Sequence, residues 1–97
     1  MWISAFTPRG AAPTLHTVLY LAEFYLPEDA SLPGVVRKAR AGACRAEAEV
    51  RFVRAIFVPR DESCFALYLA ASADEVTAAG ALAGLAFDRV LEALTCP

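Results

Sequence analysis

An α+β fold of order βαββαβ, one four-stranded antiparallel sheet carrying two helices on a single face, is what this sequence predicts. Three observations carry it. Two dense β-forming runs, 50–58 and 64–70, are separated by the tight polar turn Pro59-Arg60-Asp61-Glu62-Ser63. The motif Ser72-Ala73-Asp74-Glu75 follows at once and has the S-x-x-E form of a capping box, which opens a second helix. The first half of the chain then supplies one further strand and one further helix, completing the order.

The first strand is 17–26, where Val18, Leu19, Tyr20, Leu21, Phe24 and Tyr25 are β-branched, aliphatic or aromatic and Pro27 ends the run. Glu28-Asp29-Ala30-Ser31 is a polar link. Pro33 suits a first helical turn, where its missing N–H costs nothing, with Ser31 or Leu32 as cap. That helix is expected to run to about residue 48. Val35, Val36, Ala39, Ala43 and Ala46 recur at three- and four-residue spacing and predict its buried face.

The second strand, 50–58, alternates imperfectly, interrupted by Arg51 and Arg54. The third, 64–70, is apolar on both sets of alternate positions. Gly84 is placed to end the second helix in the left-handed conformation, and 88–94 is the last strand.

At 97 residues the chain is read as one domain, 17–95, preceded by a flexible N-terminal arm, 1–16. The arm carries Pro8, Gly10 and Pro13 and no sustained apolar run, which argues against a signal peptide. A domain of this size removes only about 60–65% of its unfolded surface from water, so its stability margin as a monomer is thin. Yet 58% of the residues are hydrophobic, more than one small core easily hides. The net charge of −2 and the lack of a basic tract argue against a nucleic-acid partner. No apolar run approaches the ~20 residues that cross a bilayer. Three cysteines without close spacing fit reduced thiols, hence a cytoplasmic location.

Right-handed β–α–β crossovers put both helices on one face of the sheet. Alternation suggests that Phe65, Leu67 and Leu69 face the helices while Cys64, Ala66 and Tyr68 lie opposite. On the second strand, Val53, Ala55 and Phe57 would share one side and Phe52, Arg54 and Ile56 the other. Both faces are then apolar, and a sheet apolar on both faces must be covered on both. The expected cover is a second copy, giving a two-fold homodimer with a barrel-like interior.

On this parity Glu23, Tyr25, Arg54 and Tyr68 point to the helix-free face. A charge between two sheets is costly unless paired, so a Glu23–Arg54 ion pair or a bound polar ligand is expected there. The two readings are a structural pair and a ligand pocket; Glu92 joins the candidates, its face undetermined. His16, the single histidine, and Cys64 are the candidate metal ligands. Neither sits in a CxxC or HxH spacing, and Cys64 reads equally as a small buried hydrophobe.

Several stretches match a known pattern. They are Glu23-Phe24-Tyr25-Leu26-Pro27, Arg54-Ala55-Ile56-Phe57-Val58-Pro59, Asp61-Glu62-Ser63-Cys64-Phe65 and Ala71-Ser72-Ala73-Asp74-Glu75-Val76. Ala83-Gly84-Leu85-Ala86-Phe87-Asp88-Arg89-Val90 and Glu92 complete the set. Through them the chain resembles a family of small bacterial ferredoxin-like proteins, formerly of unknown function, that includes a dimeric nickel-binding protein. The resemblance implies a ferredoxin-like sandwich, a dimer and nickel as the one cofactor. The chain departs from the family at Gly80, where a histidine is common, and at Phe24, where a basic residue is frequent.

Other uses of the fold are excluded or weakened by composition. Acylphosphatase chemistry needs an asparagine, and the chain has no asparagine or glutamine. A copper chaperone needs C-x-x-C, an RNA-recognition domain a basic aromatic strand, and a haem barrel an axial histidine. Two readings stand. One is a small dimeric protein binding nickel, another divalent metal or a small ligand. The other is a dimeric α/β-barrel enzyme, a cyclase, isomerase or cofactor-independent oxygenase. In the enzyme, Glu23 would act as base while Arg54, with Tyr25 or Tyr68, steadies developing charge.

Overall fold

The computed structural model describes residues 17–96, and the expected N-terminal arm, 1–16, lies outside them. The chain runs β1 (Val18–Tyr25), α1 (Leu32–Arg45), β2 (Arg51–Val58), a 3-10 turn (Pro59–Asp61), β3 (Ser63–Ala70), α2 (Ala73–Ala83) and β4 (Arg89–Glu92). The sheet order is β2-β3-β1-β4 with every neighbouring pair antiparallel, the ferredoxin-like arrangement that the order βαββαβ predicts.

Local chemistry explains the element ends. Ser31 caps α1, its Oγ accepting from the Gly34 N–H at 3.2 Å, with Pro33 in the first turn. Such a cap contributes about 1 kcal/mol. The helix stops at Arg45, three residues before the expected end. The Arg45 guanidinium donates to the Leu82 carbonyl, one of the last carbonyls of α2, and so ties the two helix ends together.

At the start of α2, Ser72 Oγ accepts from the Glu75 N–H at 3.3 Å. Glu75 reaches back one residue further than an ordinary capping box, to the Ala71 N–H at 3.2 Å. Gly84, at φ 76°, closes α2. The Leu85 N–H bonds the Gly80 carbonyl at 2.9 Å and the Gly84 N–H bonds the Ala81 carbonyl at 3.1 Å, the paired bonds of a Schellman ending.

The core lies between the sheet and the two helices. Helix α1 buries Val35, Ala39, Gly42 and Ala43, and α2 buries Val76, Ala79 and Gly80. These faces are small, and aromatic rings from the sheet side fill the remaining volume. Phe52 meets Tyr68 edge-on at 5.5 Å between centroids, and Phe87 packs against Phe24 at 5.4 Å and Tyr68 at 6.0 Å. Helix contact is close enough that a Cβ at Gly42 would fall 2.6 Å from the Ala79 carbonyl oxygen.

Two parity expectations are corrected. On β3 it is Cys64, Ala66, Tyr68 and Ala70 that are buried beneath the helices, while Phe65, Leu67 and Leu69 face the other way and are half-exposed. On β2 the register slips between Phe52 and Arg54, leaving Val53 as an extra residue. This bulge lets Phe52, Ala55 and Phe57 share the helix side, while Arg54 and Ile56 share the open one.

Candidate functional site

The helix-free face is a grid set by strand register. One row crosses the sheet as Arg54, Leu67, Leu21 and Leu91, taken from β2, β3, β1 and β4 in turn. The next row is Ile56, Phe65, Glu23 and Arg89. Directly paired residues of an antiparallel sheet point to the same side, so each row lies on one surface. Leu19 and Leu69 extend it at one end, Tyr25 at the other. No helix among the described residues covers this face. Ile56 is 49% and Leu91 44% exposed, and Tyr25 is 61% exposed.

Glu23 sits in the middle of β1 because the strand's alternation sends Ala22 and Phe24 inward. Its carboxylate Oε1 accepts from Arg89 Nε at 2.7 Å. The expected partner, Arg54, is two strands away and one row along, whereas Arg89 stands directly opposite on the adjoining edge strand. Sequence reasoning passed over Arg89 as a site residue. Laying β4 antiparallel against β1 was the step that would have found it.

Of the other candidates, Tyr25 and Arg54 lie on the open face as expected, both exposed. Tyr68 does not. It is fully buried on the helix side, and its hydroxyl has no hydrogen-bond partner among the described residues. Burial, and then the neighbouring Cys64 charge, push its phenol up to about 12. Glu92 pairs with Tyr20, which settles its undetermined face: it belongs to the helix-side parity, exposed on the edge strand. The sheet thus brings Glu23, Tyr25 and Arg54 onto one surface and leaves Tyr68 and Glu92 off it.

Of the two metal candidates only Cys64 is among the described residues. His16 lies outside the described residues. Cys64 is sealed beneath the helices, its thiol pushed up by burial against a smaller opposing effect of a backbone hydrogen bond from Phe65. Among the described residues no group of three or more His, Cys, Asp or Glu could hold a metal ion. Gly80 is buried, and a Cβ there would fall 2.3 Å from a Phe87 ring carbon. Cys64 and Gly80 therefore present no accessible metal ligand on the described part of the chain.

A groove of about 640 Å³ opens on the far side of the molecule, between the end of α1 and α2, lined by Arg45, Glu47, Glu75 and Leu82 among others. Two of its polar side chains already serve the helix ends, Arg45 on the Leu82 carbonyl and Glu75 on the Ala71 N–H. No helix among the described residues is long and apolar enough to cross a membrane.

No protein-family model and no curated protein matches the chain. The crystal structure of SCO4226 from Streptomyces coelicolor A3(2) is similar. The two share 16% sequence identity and a TM-score of 0.69 over 81% of this chain and 99% of the other. At that identity the likeness bears on the fold.

Proposed function

We propose that the protein is a homodimeric binding module in which two copies stack their helix-free sheet faces and hold a small ligand between them. The observation that supports this reading is the open face itself. Leu21, Phe65, Leu67 and Leu91 lie side by side in two adjoining rows, with no helix of the described residues over them. A lone domain rarely leaves so continuous an apolar surface in water. A second identical sheet is its natural complement, because a two-fold interface asks a surface only to match itself.

The polar residues of the face favour binding over catalysis. An enzyme of the expected kind requires Glu23 free to take a proton and a tyrosine hydroxyl beside it. Here Arg89 holds the carboxylate, and of the two tyrosines expected to assist it Tyr25 shares this face while the Tyr68 hydroxyl is on the other side of the sheet. What is left on the face, Tyr25 and Arg54, can hold and orient a ligand. The reading rests on no metal. In it the thiols are reduced, as in a cytoplasm, consistent with three free cysteines.

Light scattering of the tag-free full chain across a dilution series tests the reading. A mass of twice the monomer at micromolar concentration is expected, and a monomer throughout would overturn it. Calorimetric titration with nickel, zinc and copper checks the site to which His16 would contribute; no heat is expected from any of them.

A further inference from the structure

The charges of the helix-free face do not balance. Among the described residues that strand pairing places there, Arg54 and Arg89 face one carboxylate, Glu23, while Arg51 has an interaction of its own. Arg89 is satisfied by Glu23 at 2.7 Å. Arg54 is exposed and has no ion-pair or hydrogen-bond partner among the described residues. Residues 1–16 hold no aspartate or glutamate, so that segment brings no side-chain carboxylate to it. Stacking a second copy adds another Arg54 and another Glu23 already engaged by its own Arg89. Closing two such faces together would strand a cation from each copy in a low-dielectric space, a costly arrangement without a counter-charge.

The surroundings of Arg54 specify what that counter-charge is attached to. Its row continues with Leu67, Leu21 and Leu91, one leucine per strand. At the ~4.8 Å spacing of neighbouring strands this is a track of about 14 Å, with a guanidinium at one end and only aliphatic carbon beyond it. A guanidinium presents a fork of donors that matches a carboxylate in two parallel hydrogen bonds.

We infer that the ligand is a medium-chain aliphatic carboxylate, its headgroup on Arg54 and its tail along Leu67, Leu21 and Leu91. The inference rests on the stacked-sheet reading and names the ligand class for that same face. The headgroup supplies the missing negative charge, and the tail covers apolar surface that the opposing sheet alone would meet side chain to side chain. The neutral alcohol of the same length fits the track but leaves the cation unpaired.

The test is calorimetric titration of the full chain with octanoate and with 1-octanol, after light scattering has established the dimer. Octanoate is expected to bind at least about tenfold more tightly than 1-octanol, the scale of a charge-assisted pair. Arg54→Gln should remove most of that preference by weakening octanoate, leave 1-octanol unchanged and leave the protein dimeric; Arg54→Lys should restore part of the preference. Equal affinity for acid and alcohol, an Arg54→Gln protein that still prefers octanoate, or a dimer that binds neither would overturn the inference while leaving the dimer in place. A monomer in light scattering would instead remove the reading beneath it.

Discussion

Glu23 on β1 and Arg89 on β4 are register partners, and their side chains close the pair at 2.7 Å on the helix-free face. Arg89 is largely exposed, 63%, so in an isolated protomer the pair contributes little. A double-mutant cycle with Glu23→Gln and Arg89→Gln, read by urea unfolding in dilute solution, should give a coupling below about 1 kcal/mol. In the proposed stacked dimer the pair would leave water and its loss would cost more. The coupling should therefore grow with protein concentration.

Phe65 stands between Ile56 and Glu23 in the same row, half-exposed. Phe65→Lys places an ammonium in the centre of the proposed interface without touching the core beneath the helices. Light scattering should show a monomer, while far-UV circular dichroism keeps the wild-type shape. An unfolded spectrum would mean that the residue belongs to the core.

Tyr68 carries a buried hydroxyl with no partner among the described residues. An unsatisfied buried polar group costs about 1–3 kcal/mol, so Tyr68→Phe should leave stability unchanged or raise it by about 1 kcal/mol. The pH dependence has a definite sign. Folding raises the phenol from 10.0 to about 12, so between those values the unfolded chain has released a proton that the folded one keeps. Stability contributed by the buried neutral phenol is whole below pH 10 and is lost as pH rises towards 12. Tyr68→Phe should flatten that part of the stability curve. It should also delete the tyrosinate absorbance that appears near pH 12 in the folded protein.

Gly80 touches the Phe87 ring, and a Cβ at this position would come within 2.3 Å of it. The ring cannot swing aside freely because Phe24 and Tyr68 pack against it at 5.4 and 6.0 Å. Gly80→Ala should cost about 1–3 kcal/mol in urea unfolding, although alanine is the better helix former. Gly80→His, the residue common in the resembling family, should fold poorly and gain no metal affinity in calorimetry.

Capping and breaking residues made the element order legible. Ser31, Ser72, Gly84 and Pro27 each mark an element end by chemistry that acts within a few residues, and the structure uses all four. Side-chain direction was not legible, because β3 is apolar at every position from Cys64 to Ala70 and alternation has nothing to read. Packing volume decides it. The alanine and glycine faces of the helices leave room for Tyr68 and Phe52, and the leucines of β3 turn outward. The bulge at Val53 left no trace in composition either. It puts Arg54 opposite Phe52, reversing what strict alternation implies. The Glu23 partner was missed for the same reason: strand adjacency is a property of topology, and β4 is 66 residues away along the chain at Arg89.

The β2–β3 turn does more than reverse the chain. Glu62 adopts a left-handed conformation, φ 51°, unusual for a residue with a side chain. Its carbonyl accepts from the Leu26 N–H at 2.9 Å, and its Oε2 accepts from the Glu28 N–H at 2.9 Å. This clasp fastens the hairpin tip to the exit of β1, beside the terminal pair Tyr25 and Ser63. Sliding β1 along β3 by one position would turn every side chain of that strand over, carrying Glu23 under the helices and Phe24 into water. A single strained glutamate at the foot of the sheet thus acts as the indexing stop that decides which surface is oily and which ring is hidden.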